Sequence, residues 1–234
     1  MGSIWSQTCS IGRRPPLRGH LKTQAAVVGA GMAGVLTAYA LQQAGLSVVV
    51  LEADRIAGGQ TQNTTAKITS QHGLIYSRLI QSFGEETARR YAKANQDAVR
   101  AYQDLIDVQG ISCDWEERCA YLYGPDVTVL QEEAEAARRL GLPASFTREV
   151  SIPIPHDGAV CFEGQAQFHP LKFLKVLADQ LTIYEQSRVL TAEGDLLTTE
   201  LGSVQADHIV FACHFPFVNF PGMYFARMHQ ERSY

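Results

Sequence analysis

From residue 24 onward the chain falls into short apolar runs separated by amphipathic stretches. Ala25–Gly29 is an apolar run ending in glycine, Met32–Ala44 has the spacing of a buried helix, and Ser47–Glu52 is rich in valine. That order predicts a strand, a helix and a second strand, one βαβ unit. Gly84–Gln109 places Ala88, Tyr91, Ala92, Asn95, Val99, Tyr102, Leu105 and Ile106 on one stripe of a long helix. Cys113–Glu116 and Ala120–Tyr123 read as short strands, and Val127–Leu140 as a solvent-facing helix closed by Gly141 and Pro143. Between Val150 and Gln167 the pattern is one of short strands punctuated by Pro153, Pro155 and Gly158, after which Pro170 opens a helix over Leu171–Gln180. Short strands follow at Thr182–Glu185, Arg188–Ala192, Leu196–Glu200, Ser203–Gln205 and Asp207–Phe211, with turns at Glu193–Asp195 and Leu201–Gly202. No internal repeat or low-complexity segment interrupts this order.

Composition narrows the class without naming a partner. The 234 residues carry a net charge of −4 spread over both signs, so no basic face points to nucleic acid. Five cysteines, at 9, 113, 119, 161 and 213, form no C-x-x-C pair. This argues against a disulfide framework or a metal site and favours a reducing cytoplasm. The longest apolar runs, such as Val48–Leu51 and Ile209–Cys213, are strand-sized, far short of the roughly 20 residues that cross a bilayer. No membrane partner is expected. Residues 1–23, with Arg13, Arg14, Pro15 and Pro16, read as a lead-in arm.

The chemistry begins at Gly29-Ala30-Gly31-Met32-Ala33-Gly34, which follows one expected strand and opens the expected helix, while Glu52 closes the next strand 18 residues beyond Gly34. This is the dinucleotide-binding fingerprint in its required context. Gly29 allows the tight turn, Gly31 lets backbone approach a pyrophosphate at the helix N-terminus, and Gly34 lets helix and strand pack closely. Glu52 can accept hydrogen bonds from both hydroxyls of an adenosine ribose, and its charge disfavours a 2′-phosphate.

The stretch after Glu52, Arg55-Ile56-Ala57-Gly58-Gly59-Gln60-Thr61-Gln62-Asn63-Thr64-Thr65-Ala66-Lys67, resembles the second flavin motif of the FAD-dependent oxidoreductases related to D-amino-acid oxidase and glycine oxidase. Paired glycines expose backbone N–H groups and the threonines add hydroxyls, a chemistry suited to an anionic, polyol ligand. Gln167–Lys172 is similar to that family's return into the nucleotide domain, and Arg188-Val189-Leu190 to the place where a valine backbone meets adenine. Asp207–His214 is similar to a late strand of the family, with Cys213-His214 in place of its usual Ala-Thr-Gly ending. The resemblance implies a cofactor site of Gly29, Gly31, Met32, Ala33, Gly34, Glu52, Ala53, Arg55, Gly59, Thr61, Gln62, Thr65, Ala66, Lys67, Ile68 and Val189. Asn63 stands where some relatives link FAD through histidine, so non-covalent FAD is expected.

The resemblance also implies an α/β fold: a Rossmann-like FAD-binding domain with an inserted, partly antiparallel α+β substrate domain. The expected boundaries are 24–83 and 168–214 for the first and 84–167 for the second, and the chain is expected to stop before the fold is complete, with 215–234 opening a missing part. Ser3-Ile4-Trp5, Thr69–Leu74 and His214-Phe215-Pro216 resemble a bacterial branch that carries a C-terminal Rieske domain. No Cys-x-His with a later Cys-x-x-His occurs, so a Rieske [2Fe-2S] cluster is expected only beyond Tyr234.

The implied reaction is hydride transfer from a carbon bearing an amine to flavin N5, with an amine or amino acid as substrate and oxygen, a Rieske domain or another electron carrier as acceptor. Catalytic residues stay unassigned. His72, His169 and His214 each suit a structural role better than a catalytic one, and Arg227, His229 and Arg232 are candidates for meeting a substrate carboxylate. Two other readings stay open: a nicotinamide-dependent dehydrogenase, and a catalytically silent protein of the same fold used for protein binding.

Overall fold

A computed structural model describes residues 2–150, 155–213 and 217. The chain divides into two units: residues up to Thr64 with those from Pro170 onward, and Thr65–His169.

The first unit begins with a single helical turn, α1 (Ile4–Thr8), capped by the Ser3 hydroxyl. It continues through β1 (Gly19–Val28), α2 (Met32–Gln43) and β2 (Val48–Leu51). The fingerprint therefore lies where the spacing put it, between β1 and α2. Strand β1 is longer than its apolar stretch because pairing with a later strand carries the polar residues Gly19–Gln24 into the sheet. Gly19–Thr23 are thus strand rather than arm, and Ile11 and Leu17 within the arm are buried.

The second unit holds β3 (Lys67–Ile68), α3 (Tyr76–Phe83), α4 (Glu85–Gln109), β4 (Glu116–Gly124), α5 (Val127–Arg139), β5 (Ala144–Thr147) and β6 (Gly158–Gln167). β6 is its central strand, antiparallel to β4 on one side and to β5 and β3 on the other. One continuous β4 replaces the two short strands expected there, with a register shift between Arg118 and Ala120. Residues 65–83, expected with the first unit, lie in the second. Lys67 and Ile68 pair with Gln167 and Ala166, and Tyr76 is fully buried beside Ala88, Leu130 and Phe162.

The chain then re-enters the first unit with α6 (Pro170–Ala178), β7 (Thr182–Tyr184), β8 (Thr191–Glu193), β9 (Leu196–Thr198) and β10 (Gly202–Phe211). The first sheet has six strands in the order β7-β2-β1-β10-β9-β8. Its first four are mutually parallel, and β9 and β8 add an antiparallel margin. Ser203–Gln205 and Asp207–Phe211 join into one strand because Ala206 keeps its place opposite Thr23 of β1. The α/β expectation, a Rossmann-like domain with an inserted, partly antiparallel α+β domain, matches this architecture. Expectations for His214, Phe215, Pro216, Arg227, His229 and Arg232 lie outside the described residues.

One buried carboxylate organises the second unit. Helix α3 starts at Ile75 without a side-chain cap of its own. Instead, Glu133 from α5 accepts the N–H groups of Ile75 at 2.8 Å, Tyr76 at 2.7 Å and Ser77 at 3.0 Å. Carboxylates are favoured at helix N-termini, where donors lack intrahelical partners. The substitution Glu133→Gln puts an amide N–H₂ against those donors, and we expect the second unit to lose about 1–3 kcal/mol. Urea unfolding of the two forms measures this; matching midpoints and slopes would refute the capping role.

Candidate functional site

The carboxyl ends of β1, β2 and β10 open into a cleft of about 800 Å³ in the first unit, a volume in the usual range for small-molecule and cofactor sites. Its floor is Val28, Gly29 and the start of α2 at Gly31–Ala33, and Leu51–Ala53 close one side. The loop Arg55–Thr61 and the segment Arg188–Leu190 form its walls, with Phe211–Cys213 at the end of β10. Open parallel sheets bind ligands at such strand ends, where successive connections depart in opposite directions. Here β2 and β10 flank β1 on opposite sides.

Two glycines are required by the packing. Gly29 takes φ of +104°, and a Cβ there would come within 2.8 Å of the Ala212 carbonyl oxygen. At Gly34 a Cβ would sit 1.9 Å from the Gly29 carbonyl oxygen, so α2 can approach β1 this closely only without a side chain. The Met32 N–H at the start of α2 donates to Thr61 Oγ1 at 3.0 Å, and the same hydroxyl lies 3.3 Å from where a Gly31 Cβ would be. An oxygen acceptor therefore already stands at the helix N-terminus.

Glu52 faces this point from the end of β2. Its Oε2 accepts the Ala30 N–H at 2.7 Å and its Oε1 the Asp54 N–H at 2.9 Å. These bonds fix the carboxylate and leave each oxygen with further acceptor capacity. The loop behind it is held tightly: Ala57 takes φ of +59°, a conformation disfavoured for any residue with a side chain, while its N–H donates to the Ala30 carbonyl at 2.9 Å.

Of the residues expected from the sequence, Gly29, Gly31, Met32, Ala33, Glu52, Ala53, Arg55, Gly59, Thr61 and Val189 line this cleft. Gly34 lies beneath it, packed on Gly29. Arg55 lines the cleft, but its guanidinium is occupied by the buried Glu185 and, at 2.8 Å, by the Ile11 carbonyl. Gln62 turns back to the Gly58 carbonyl, and Asn63 to that of Gly59 at 3.0 Å. Thr65, Ala66, Lys67 and Ile68 belong to the second unit, where the last two form β3. So do His72, bonded to Asn95, and the buried His169.

Gln60, Leu190, Phe211, Ala212 and Phe217 also line the cleft; all but Phe217 fall within segments that resemble the family, but none was among the expected cofactor residues. Phe211 and Ala212 reach the site through the parallel pairing of β10 with β1, which no local pattern marks. Among the described residues, no cluster of His, Cys, Asp and Glu could hold a metal ion, and no helix is long and apolar enough to cross a membrane.

Residues 24–228 match the family described as DAO, FAD dependent oxidoreductase. The chain is 34% identical to the putative Rieske 2Fe-2S iron-sulfur protein YhfW of Bacillus subtilis, over 99% of this chain and 48% of that protein. It is 26% identical to the gamma-glutamylputrescine oxidoreductase of Escherichia coli, over 80% of this chain and 47% of that one. The chain thus spans about half the length of these curated relatives. Among solved structures, an L-amino acid deaminase from Proteus myxofaciens in complex with anthranilate superposes with a TM-score of 0.69 at 17% identity, over 91% of this chain and 49% of the other. A glycine oxidase from Geobacillus kaustophilus gives 0.59 at 18% identity, over 82% and 55%. Both share the fold.

Cys213 offers a reporter within the cleft. Burial pushes its thiol up; its own backbone N–H offsets part of that, and the nearby Glu52 carboxylate adds to it. A raised value leaves the thiol protonated at neutral pH, so alkylation should be slower than that of an ordinary cysteine and should accelerate only in more alkaline solution. The substitution Glu52→Gln removes one of the upward pushes and should move the rate profile to lower pH. Mass-spectrometric rates for the Cys213 peptide across a pH series test both the level and the direction.

Proposed function

Because the chain belongs to the DAO family of FAD-dependent oxidoreductases, we propose that its first unit binds FAD without a covalent link, as part of a protein that oxidises the C–N bond of an amine or amino acid. The observation that carries the reading is the placement of Glu52 and the N-terminus of α2 on one cleft, with a hydroxyl already on the Met32 N–H.

A helix N-terminus offers free N–H groups and partial positive charge to a pyrophosphate. A phosphate oxygen can take over the bond that Thr61 makes to Met32, and the displaced hydroxyl can then donate to that phosphate. Gly31 keeps a side chain out of this space, with Ala33 beside it at the helix start, while Gly29 and Gly34 let β1, α2 and the end of β10 pack this closely. Glu52, held by Ala30 and Asp54, presents its remaining lone pairs to ribose hydroxyls. Ala53 and Gly59 add backbone to the rim, and Val189 with Leu190 gives an apolar wall for a flat heterocycle. Thr65, Ala66, Lys67 and Ile68 continue the flavin-like segment into the second unit. Asn63 carries an amide, which forms no bond to a flavin methyl group.

When bound, FAD supplies a hydride acceptor. The protein's part is to hold the cofactor and exclude water. The likeness to the Bacillus subtilis protein favours an iron–sulfur cluster as one acceptor of the electrons, with oxygen the other candidate. The amine class is supported by the likeness to the gamma-glutamylputrescine oxidoreductase and fits the fold shared with the deaminase and glycine oxidase. Bleaching of the flavin absorption on anaerobic mixing with a panel of amines and amino acids tests this part of the reading.

FAD binding has two separate tests. The substitution Glu52→Gln should weaken FAD affinity about 10- to 100-fold, the worth of a charge-assisted hydrogen bond. Flavin fluorescence titration measures it, with circular dichroism confirming that the variant is folded. Undiminished affinity would refute the assignment. Acid precipitation of the FAD-loaded protein should leave the yellow colour in the supernatant; flavin retained in the pellet would reveal a covalent bond.

A further inference from the structure

The family-matched stretch begins at residue 24, yet the residues ahead of it are bonded into both walls of the cleft. Trp5 Nε1–H on α1 donates to the Thr64 carbonyl at 2.8 Å, and α1 rests on the turn Thr61–Asn63 and on α6. The Ile11 carbonyl accepts from Arg55 at 2.8 Å. On the other wall, the Arg14 N–H donates to Glu185 at 2.8 Å and the Leu17 N–H to Ser187 Oγ at 2.8 Å, one residue before Arg188–Leu190. Ile11 and Leu17 are buried, so the arm is anchored by apolar packing as well as by these bonds.

A helix of five residues does not persist by itself in water, because nucleation is not repaid over so few hydrogen bonds. Its order is supplied by what it touches, and it touches the loop that presents Thr61 to α2. We propose that the arm is a working part of the dinucleotide cleft and that Trp5 is a positioning residue, holding Thr61–Thr64 so that the Thr61 hydroxyl stays beside the N-terminus of α2, placed to donate to a bound phosphate. The inference rests on the reading of the cleft as an FAD site and names a part of it outside the family's common core. Trp5 acts through the loop and is not placed in contact with the ligand.

The test uses the full-length protein with Trp5→Phe, which keeps an aromatic ring and removes only the N–H donor, and with a deletion of residues 2–9, which removes α1 and leaves Ile11, Arg14 and Leu17. Trp5→Phe should raise the FAD dissociation constant about 2- to 12-fold, the range of one ordinary hydrogen bond. The effect should fall mainly on the dissociation rate. The deletion should raise it further. In the FAD-free protein, amide hydrogen exchange should quicken in the segments 57–64 and 31–33 in both variants, while the second unit exchanges as in the wild type. Faster exchange with unchanged FAD affinity would reduce the arm to a structural prop and overturn the positioning role. Wild-type affinity, dissociation rate and exchange in both variants would overturn the whole inference. A wild-type protein that takes up no FAD, but whose Met32 amide still responds to Trp5→Phe, would refute the FAD reading and leave the brace supported.

Discussion

Glu185 stands at the end of β7 with its carboxylate almost wholly withdrawn from water. The backbone N–H groups of Arg14 and Ile56 and the guanidinium of Arg55 converge on it. A carboxylate removed from water costs several kcal/mol unless partners replace its hydration, so the segments supplying those partners have little freedom to sit elsewhere. They are the arm before β1, the loop after β2 and the strand end after β7, three stretches far apart in sequence. Once they are tied at this anion, Thr61 falls over the start of α2 and Val189 beside Leu51, and the walls of the cleft follow.

The second unit uses the same economy with different residues. Glu133 gathers the donors at the start of α3, and the Ser70 N–H donates to Gln165 at 2.6 Å while Gln165 reaches Gln96 of α4. The Tyr76 hydroxyl donates to the Ser70 carbonyl, and burial pushes this phenol well above its usual range, which favours its protonated, donating form. Buried polar groups of this kind are tolerated when each finds a partner. In return they allow one arrangement of α3, α4 and β6 where apolar contacts alone would admit several.

The cleft joins two electrostatic demands that suit a dinucleotide: the positive end of α2 for an anion, and a fixed carboxylate a strand away for hydroxyl groups. Val189, Leu190 and Phe211 add apolar lining to the same cleft. Every described residue that lines this cleft belongs to the first unit.

Much of this was legible in the order of residues. Gly29, Gly31, Gly34 and Glu52 could be assigned because their work is local: a turn, a helix start and a strand end lie within one βαβ unit, and spacing along the chain translates directly into geometry. The long α4 was legible because helical periodicity needs no partner to be recognised, and α2 because it opens at the fingerprint. Strand pairing is different. Whether Ser203–Phe211 makes one strand or two, and whether Lys67 and Ile68 sit with the unit before or after them, depends on which strand lies alongside. The short helices α1 and α3 carry too few residues for a period and owe their order to Thr64 and Glu133. Arg55 could be read as a cofactor ligand from its place after Glu52, but only the fold brings Glu185 beside it to occupy the guanidinium. The sequence by itself determined the fingerprint and the elements that carry it, because those rest on contacts between near neighbours in the chain. The tertiary structure alone decided the walls of the cleft, because they are set by buried charges whose partners lie more than a hundred residues away.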